Sequence, residues 1–192
     1  MSANATVEQN AQAVLQKGEP APVRRICFVC TGNTCRSPMA AAVANAMAEQ
    51  ALASLLPKEL QEQIEPSLKA FSRGLYAIEG QPISHNAKAA LEDAGIPPVA
   101  WNDYHGHVAH TLREDEAEKC DLLVGMTSGH TMELILRFPH LVERIRAFPR
   151  EISDPYGGDL NAYTDCLAQI QAGVKELLQS FDGKDKNDGS AL

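Results

Sequence analysis

Residues 30–37, with the sequence CTGNTCRS, combine the residue types that phosphate transfer requires. A cysteine thiolate is a nucleophile, and an arginine guanidinium can hold two phosphate oxygens at once. The run before this segment (VRRICFV, residues 23–29) predicts a buried strand, and the Ala-rich run after it predicts a helix. A loop between a strand and a helix presents N–H groups and the positive end of the helix dipole to an anion. We therefore expect Cys30 to act as the nucleophile, Arg36 to hold phosphate and Ser37 to donate a hydrogen bond to the sulfur.

A second motif near the end of the chain, residues 154–158 (DPYGG), carries a carboxyl group in a turn. Proline and glycine favour turns, so this segment can hold the Asp154 carboxyl over a neighbouring pocket, where it can serve as an acid. The C-x5-R-S/T pattern alone occurs by chance in roughly a few per cent of chains of this length. Its position between a strand and a helix, together with the distant carboxyl group, makes the interpretation specific.

With both motifs in one chain, residues 24–181 resemble the low-molecular-weight protein phosphatases, which carry a C-x5-R-S loop near the start and a D-P-aromatic loop near the end. The resemblance implies a cysteine-dependent phosphatase with Cys30 as nucleophile, Arg36 as phosphate ligand and Asp154 as general acid. It also implies that His107 supports the phosphate loop, in a hydrogen-bond network that includes Asn33 and Ser37. The residues that it assigns to substrate binding are Thr31, Gly32, Asn33, Thr34, Cys35, Ser37, Tyr76 and Tyr156. For each of the two tyrosines, the alternative is a half-exposed loop residue.

The residue types define a two-step reaction. The Cys30 thiolate attacks phosphorus, while Arg36 and the loop amides stabilise charge on the phosphoryl oxygens. Asp154 protonates the leaving atom and then, once ionised, activates the water that hydrolyses the cysteinyl-phosphate. Because the guanidinium and the amides carry the charge, we expect neither a metal ion nor another cofactor.

Thr34 bears on the substrate class. In the family that the chain resembles, tyrosine-specific members carry Ile or Leu at this position, whereas members that hydrolyse phosphoarginine carry Thr in the same CTGNTCRS loop. A hydroxyl offers a polar contact to a guanidinium, and Ile offers an apolar contact to a phenyl ring. We therefore favour a protein-arginine phosphatase over a protein-tyrosine phosphatase, with the alternative that Thr34 merely fits the backbone of the loop.

An arsenate reductase coupled to thioredoxin is an alternative from another class, because such enzymes share the fold and the C-x5-R loop. They pass electrons through two further cysteines close together, whereas Cys120 and Cys166 are far apart in sequence. Cys27 precedes Cys30 by three residues in a strand, so the two side chains point to opposite faces. We expect Cys27, Cys120 and Cys166 to be packed core thiols. A binding-only protein is disfavoured because all three reactive residues are present.

Three histidines, His105, His107 and His110, have a faintly metal-like spacing. No acidic or thiol ligand accompanies them in sequence, so we expect no metal site there. By the resemblance, His107 instead holds the phosphate loop in place.

The composition narrows the partners and the compartment. The net charge of −8 argues against nucleic-acid and anionic-membrane partners. No apolar run is long enough to span a bilayer, and the N-terminus lacks a basic start followed by an apolar stretch. Five cysteines, an odd number, fit reduced thiols. We expect a cytoplasmic protein that acts on phosphorylated protein substrates.

Strands and helices alternate along the chain, which predicts an α/β fold: one domain with a four-stranded parallel sheet and helices on both faces. The site is expected at the carboxyl end of the first strand, where open α/β sheets bind ligands. The predicted strands are residues 23–29, 68–71, 121–126 and 145–148. The predicted helices are residues 37–56 and 84–94, two that begin with a capping box at Thr111 and a cap at Thr127, and one that ends near residue 181. The predicted divisions are an N-terminal extension and linker (1–22), a phosphatase domain (23–181) with an insertion at 57–66, and a flexible tail (182–192).

Overall fold

A computed structural model describes residues 24–55 and 68–182 of the 192-residue chain. The predicted N-terminal extension, the insertion at 57–66 and nearly all of the predicted tail lie outside the described residues. Within them, no helix is both long enough and apolar enough to cross a membrane.

Four parallel strands form one sheet in the order β2-β1-β3-β4. Their bounds are Arg24–Cys30 (β1), Leu68–Gly74 (β2), Leu122–Gly125 (β3) and Ile145–Ala147 (β4). The predicted four-stranded parallel sheet is therefore confirmed. The expected end of β2 at Phe71 is wrong, because the strand continues to Gly74, opposite Cys30. Alternate residues of β2 remain buried to its end. The sequence therefore predicts which face of this strand is buried more reliably than it predicts where the strand ends.

The helices cover both faces of the sheet, as predicted. Their bounds are Arg36–Leu55 (α1), His85–Asp93 (α2), Glu114–Ala117 (α3), Ser128–Arg137 (α4) and Leu160–Asp182 (α5), with short 3-10 turns at Tyr104–Gly106 and Pro139–Arg144. One core cluster joins α1, α2 and α5 to the face of β1 that carries Phe28 and Cys30. The second cluster lies on the opposite face with Cys27 and Val29, packed against Leu134 of α4.

The apolar pattern of α1 predicts one buried face through Val43, Met47, Ala51 and Leu55. Val43 is fully buried and Met47 half-buried, but Ala51 and Leu55 are exposed. The first eleven residues of the helix, through Ala46, carry the packing instead. Helical spacing alone does not show how far along a helix the core extends.

The two predicted helix caps have different outcomes. Thr127 caps α4, because its side chain accepts the backbone N–H of His130. The capping box expected at Thr111 is wrong. The α3 helix begins at Glu114, and Glu116 accepts the backbone N–H of Arg113 instead.

Candidate active site

A cavity of about 290 Å³ opens where β1 ends and α1 begins. Its lining joins the two motifs that are far apart in sequence. The lining residues are Cys30, Thr31, Gly32, Thr34, Cys35, Arg36, Tyr76, Ile78, Gln81, Asp154 and Tyr156. The loop therefore faces the carboxyl group predicted to act as the acid. Residues 30–36 lead directly into the first turn of α1, whose backbone N–H groups have no partners within the helix and suit an anion.

The thiol of Cys30 lies beside a buried hydroxyl. Its Sγ is 3.0 Å from Ser37 Oγ, and the two residues are almost fully buried. Ser37 Oγ also accepts a hydrogen bond from Asn33 Nδ2 at 3.0 Å. The single hydroxyl hydrogen of Ser37 has two acceptors, the Arg73 carbonyl oxygen at 3.3 Å and the sulfur. When it is donated to a thiolate, it makes the sulfur a better leaving group in the second step.

The Asn33 side chain holds the loop from behind. Its backbone φ is +59°, in the left-handed region that asparagine tolerates better than most residues. Besides its bond to Ser37, Nδ2 donates to Ser72 Oγ at 2.9 Å, and Oδ1 accepts the backbone N–H of His110 at 3.0 Å. The side chain is fully buried, so these three bonds replace its contact with water.

His107 supports the same residue through the backbone. Its Nε2 lies 2.8 Å from the carbonyl oxygen of Asn33. A carbonyl oxygen only accepts, so Nε2 carries the hydrogen in this contact. Burial is the main cause that lowers the pKa of His107, which keeps the ring neutral.

The end of β2 fixes the first two residues of the loop. The backbone N–H groups of Leu75 and Tyr76 donate to the carbonyl oxygens of Cys30 and Thr31, each at 2.9 Å. Gly74 allows this approach, because a Cβ there would lie 2.7 Å from the Thr31 carbonyl oxygen. A side chain at this position would push the loop away from the strand.

A tyrosine on α5 holds the other end of the loop. Tyr163 OH lies 3.3 Å from Cys35 Sγ and accepts a hydrogen bond from Ser84 Oγ at 3.0 Å. Burial, followed by the contact with Cys35, raises the pKa of Tyr163 to about 12. The backbone N–H of Ser84 donates to the carbonyl oxygen of Thr34 at 2.8 Å. The start of α2 and the first turns of α5 therefore hold residues 34 and 35 together.

Arg36 and Asp154 form an ion pair at the cavity wall. Arg36 Nη2 donates to Asp154 Oδ2 at 2.7 Å, and the Arg36 side chain is 9% exposed against 54% for Asp154. Asp154 Oδ1 accepts the backbone N–H of Tyr156 at 3.2 Å, and Pro155 is buried. The DPYGG turn thus orients the carboxylate through its own backbone, as the sequence predicts.

The two tyrosines that line the cavity, Tyr76 and Tyr156, are held in different ways. Tyr76 OH donates to Glu133 Oε1 at 2.8 Å, and the Arg137 guanidinium lies 4.5 Å from the centre of the Tyr76 ring. Arg137 also donates to Glu133 and to the carbonyl oxygen of Leu75. Tyr156 is 80% exposed, against 61% for Tyr76. One wall is therefore braced by α4, and the other projects from the DPYGG turn.

A histidine on α4 also reaches the loop. His130 Nε2 lies 2.9 Å from Thr31 Oγ1, and Nδ1 lies 2.8 Å from Thr127 Oγ1. Burial, and then the nearby charge of Arg36, lower the pKa of His130 to about 4, although the carboxylate of Asp154 acts in the opposite direction. The ring is therefore neutral at physiological pH.

Two residues predicted to bind substrate lie elsewhere. The side chains of Asn33 and Ser37 are fully buried behind the loop and do not line the cavity. They form the hydrogen-bond network that shapes the loop. The other six predicted substrate-binding residues all line the cavity, next to Cys30, Arg36 and Asp154.

The three spaced histidines contact different partners. His105 Nε2 lies 3.2 Å from Glu92, His110 Nδ1 lies 2.7 Å from Glu79, and His107 contacts the loop. The cysteines outside the loop are core thiols, as predicted: Cys27 and Cys120 lie in one core cluster and Cys166 in the other. Burial is the main cause that raises the pKa of the Cys27 and Cys166 thiols.

Several residues of this site have no clear signal in the sequence. Ser72, Gly74 and His130 contact the loop from segments 39 or more residues away. Tyr163 is the exception, because a tyrosine on the apolar face of a helix needs a hydrogen-bond partner for its buried hydroxyl. Its position in the sequence therefore indicates a buried polar contact.

Known proteins resemble this chain in sequence and in structure. The family model for low molecular weight phosphotyrosine protein phosphatases matches residues 25–187. A protein-arginine-phosphatase of Geobacillus stearothermophilus is 29% identical over 82% of this chain and 95% of its own length. A probable low molecular weight protein-tyrosine-phosphatase of Ralstonia solanacearum is 31% identical over 79% of this chain and 92% of its own length. The solved structure of an arginine phosphatase from Geobacillus stearothermophilus superposes with a TM-score of 0.68 at 27% identity, over 88% of this chain and 99% of that chain.

Proposed function

Because this chain belongs to the low molecular weight phosphotyrosine protein phosphatase family, we propose that it removes phosphate from arginine side chains of proteins through a phosphoryl group carried on Cys30. The chain is a protein phosphatase, and its relatives are protein-arginine and protein-tyrosine phosphatases. Arsenate reduction is not favoured: Cys120 and Cys166 are buried in different core clusters and do not form the second cysteine pair that it needs.

The first step is an in-line attack by the Cys30 thiolate on phosphorus. The sulfur–phosphorus bond forms as the bond from phosphorus to the leaving nitrogen breaks, and Asp154 supplies the proton that the nitrogen takes. Arg36 and the N–H groups at the start of α1 stabilise the charge on the three remaining phosphoryl oxygens. The phosphoryl oxygens and the Asp154 carboxylate compete for the Arg36 guanidinium. Substrate binding therefore frees Asp154 to turn toward the leaving group.

The second step returns the enzyme to its starting state. Asp154, now ionised, takes a proton from water, and the resulting hydroxide attacks phosphorus as the Cys30 thiolate departs. Ser37, 3.0 Å from the sulfur, donates a hydrogen bond to the departing thiolate. Inorganic phosphate is the product.

The preference for phosphoarginine rests on Thr34. Thr34 lines the cavity, and the contact of its Oγ1 with Cys35 Sγ at 3.6 Å is weak because sulfur is a poor hydrogen-bond partner. The hydroxyl therefore retains the capacity to accept a hydrogen bond from a guanidinium N–H. Asp154 offers the same leaving group a second acceptor and a proton.

A phosphotyrosine substrate is the second candidate. Tyr76 and Tyr156 line the cavity with exposed rings, which suit stacking against a phenyl ring. An arginine side chain can also stack on these rings as a cation, so they favour tyrosine without excluding arginine.

The substitution Thr34→Ile separates the two substrates. One polar contact in a desolvated pocket is worth roughly 1–3 kcal/mol, so the ratio of kcat/KM for phosphoarginine to that for phosphotyrosine should fall about 10- to 100-fold. The measurement uses two peptides that differ only in the phosphorylated residue. Thr34→Ser, which keeps the hydroxyl, is the matched control and should preserve the ratio. If Thr34→Ile left the ratio unchanged, Thr34 would not select phosphoarginine, and phosphotyrosine would become the favoured substrate.

The same chemistry supports a cytoplasmic location. The nucleophile must stay reduced, and the five cysteines, all in the described part of the chain, are free thiols. We infer that the protein acts in a reducing compartment on phosphorylated proteins.

A further inference from the structure

We propose that His130 is a positioning residue that directs the Thr31 hydroxyl as a hydrogen-bond donor to the transferred phosphoryl group. The proposal rests on phosphoryl transfer to Cys30, as above, but not on whether arginine or tyrosine is the leaving group. Thr31 follows the nucleophile directly and lines the cavity, whereas His130 lies behind it on α4 and does not line the cavity. His130 therefore acts through Thr31.

The hydrogen bonds around His130 select one tautomer. Thr127 Oγ1 accepts the backbone N–H of His130 at 3.3 Å, so the Thr127 hydroxyl hydrogen is available to Nδ1, 2.8 Å away. A neutral imidazole that accepts at Nδ1 carries its hydrogen on Nε2. That N–H then donates to Thr31 Oγ1 at 2.9 Å.

This chain of donors sets the direction of the Thr31 hydroxyl. Since Thr31 Oγ1 accepts from His130, its own hydrogen points away from the imidazole, toward the cavity. The backbone of Thr31 is held separately, because its carbonyl oxygen accepts the N–H of Tyr76. A preoriented hydroxyl beside Cys30 adds one donor to those that stabilise the phosphoryl oxygens.

The arrangement depends on a neutral ring. A protonated imidazole would carry hydrogens on both nitrogens, so Nδ1 could no longer accept from Thr127. His130 is buried, with 8% of its surface exposed, and the charged groups that act on its ring are Arg36 and Asp154. Burial and the Arg36 guanidinium both disfavour protonation.

Two pairs of variants test the proposal. In His130→Asn the shorter amide can still contact Thr127 but no longer reaches Thr31, whereas in His130→Gln the amide nitrogen can still donate to Thr31. Thr31→Val removes the donor, and Thr31→Ser keeps it. Ser128→Ala, an exposed position on the same helix, is the control.

The readouts are kcat/KM for p-nitrophenyl phosphate and the inhibition constant of orthovanadate, a mimic of the phosphoryl group. Thr31→Val should lower kcat/KM about 10- to 100-fold and weaken vanadate inhibition, because it removes a hydrogen bond to a charged group. His130→Asn should act in the same direction and by no more than this, because it leaves the Thr31 hydroxyl in place but no longer directs it. Thr31→Ser and His130→Gln should stay within a few-fold of the parent, and Ser128→Ala should not differ from it. The double variant Thr31→Val with His130→Asn should lose no more than the worse single variant, because both act through one hydrogen bond.

Three results would overturn the proposal. They are full activity in Thr31→Val, losses that multiply in the double variant, and equal losses in His130→Gln and His130→Asn. Denaturation curves on every variant separate these results from unfolding. Loss of activity in Cys30→Ser tests the phosphatase mechanism itself, so failure of one idea remains distinct from failure of the other.

Discussion

Replacing Asn33 with alanine should damage both stability and catalysis, because this one side chain joins the phosphate loop to two neighbouring segments. The substitution removes the partners of Ser72 Oγ and of the His110 backbone N–H, and one of the partners of Ser37. Each buried polar group left without a partner costs about 1–3 kcal/mol. Alanine at a φ of +59° adds about 1–2 kcal/mol.

These terms bound the expected loss. Serine hydroxyls can rotate toward other acceptors, and Ser37 keeps its contacts with Cys30 and the Arg73 carbonyl oxygen. We therefore expect Asn33→Ala to lower the free energy of unfolding by about 3–5 kcal/mol, which is near the lower limit obtained by adding the hydrogen-bond and backbone costs. A loop displaced by about 1 Å should also reduce kcat/KM for p-nitrophenyl phosphate about 10²-fold.

Urea denaturation and steady-state kinetics measure the two effects. Asn33→Gly restores the backbone conformation but not the hydrogen bonds, so it should recover only about 1 kcal/mol relative to alanine. Asn161→Ala, at an exposed position of α5, should change stability by less than about 0.5 kcal/mol. If Asn33→Gly were as stable and active as the parent, the hydrogen-bond network would not hold the loop.

Three further predictions concern the nucleophile and the acid, the close approach of Gly74 to the phosphate loop, and the buried His130. Cys30→Ser should abolish turnover of p-nitrophenyl phosphate, and Asp154→Ala should slow it by roughly 10²–10⁴-fold, with a smaller loss for activated leaving groups. Gly74→Ala should lower stability by about 1–3 kcal/mol and reduce activity, because its Cβ would lie 2.7 Å from the loop carbonyl, whereas Gly106→Ala, with open space around it, should do neither. Since folding lowers the pKa of His130 from 6.5 to about 4, its contribution to stability is complete above pH 6.5 and is lost as the pH falls toward 4. At about 1.4 kcal/mol per pKa unit, the free energy of unfolding should fall by up to about 3 kcal/mol more in the parent than in His130→Gln over this range, and equal acid sensitivity would contradict this assignment.

The sequence predicts the reactive part of the site because that part is local or carried by short motifs. The strand–loop–helix order around residues 30–37 follows from apolar and helical patterns, and proline with two glycines defines the turn at Asp154. The structure brings these residues into one cavity. Their catalytic roles stay predictions until the variants are measured.

The sequence does not predict which contacts Ser72 and His130 make with the loop. Ser72 reads as a loop residue because β2 is expected to end at Phe71, although its buried hydroxyl belongs to the Asn33 network. His130 lies 99 residues from Thr31, and no local pattern links the two. For Asn33 and Ser37, the resemblance implies both substrate binding and membership of the network with His107, but the motif does not show whether these side chains lie in the cavity or behind it.

The most direct test of the proposed function is kcat/KM of the unaltered protein on two peptides that carry either phosphoarginine or phosphotyrosine in otherwise identical sequences. Thr34, which lines the same cavity as Cys30, predicts the larger value for phosphoarginine, and Cys30→Ser should remove both activities. The proposal would be contradicted if kcat/KM were larger for the phosphotyrosine peptide and if the phosphoarginine peptide released phosphate no faster than it does with Cys30→Ser.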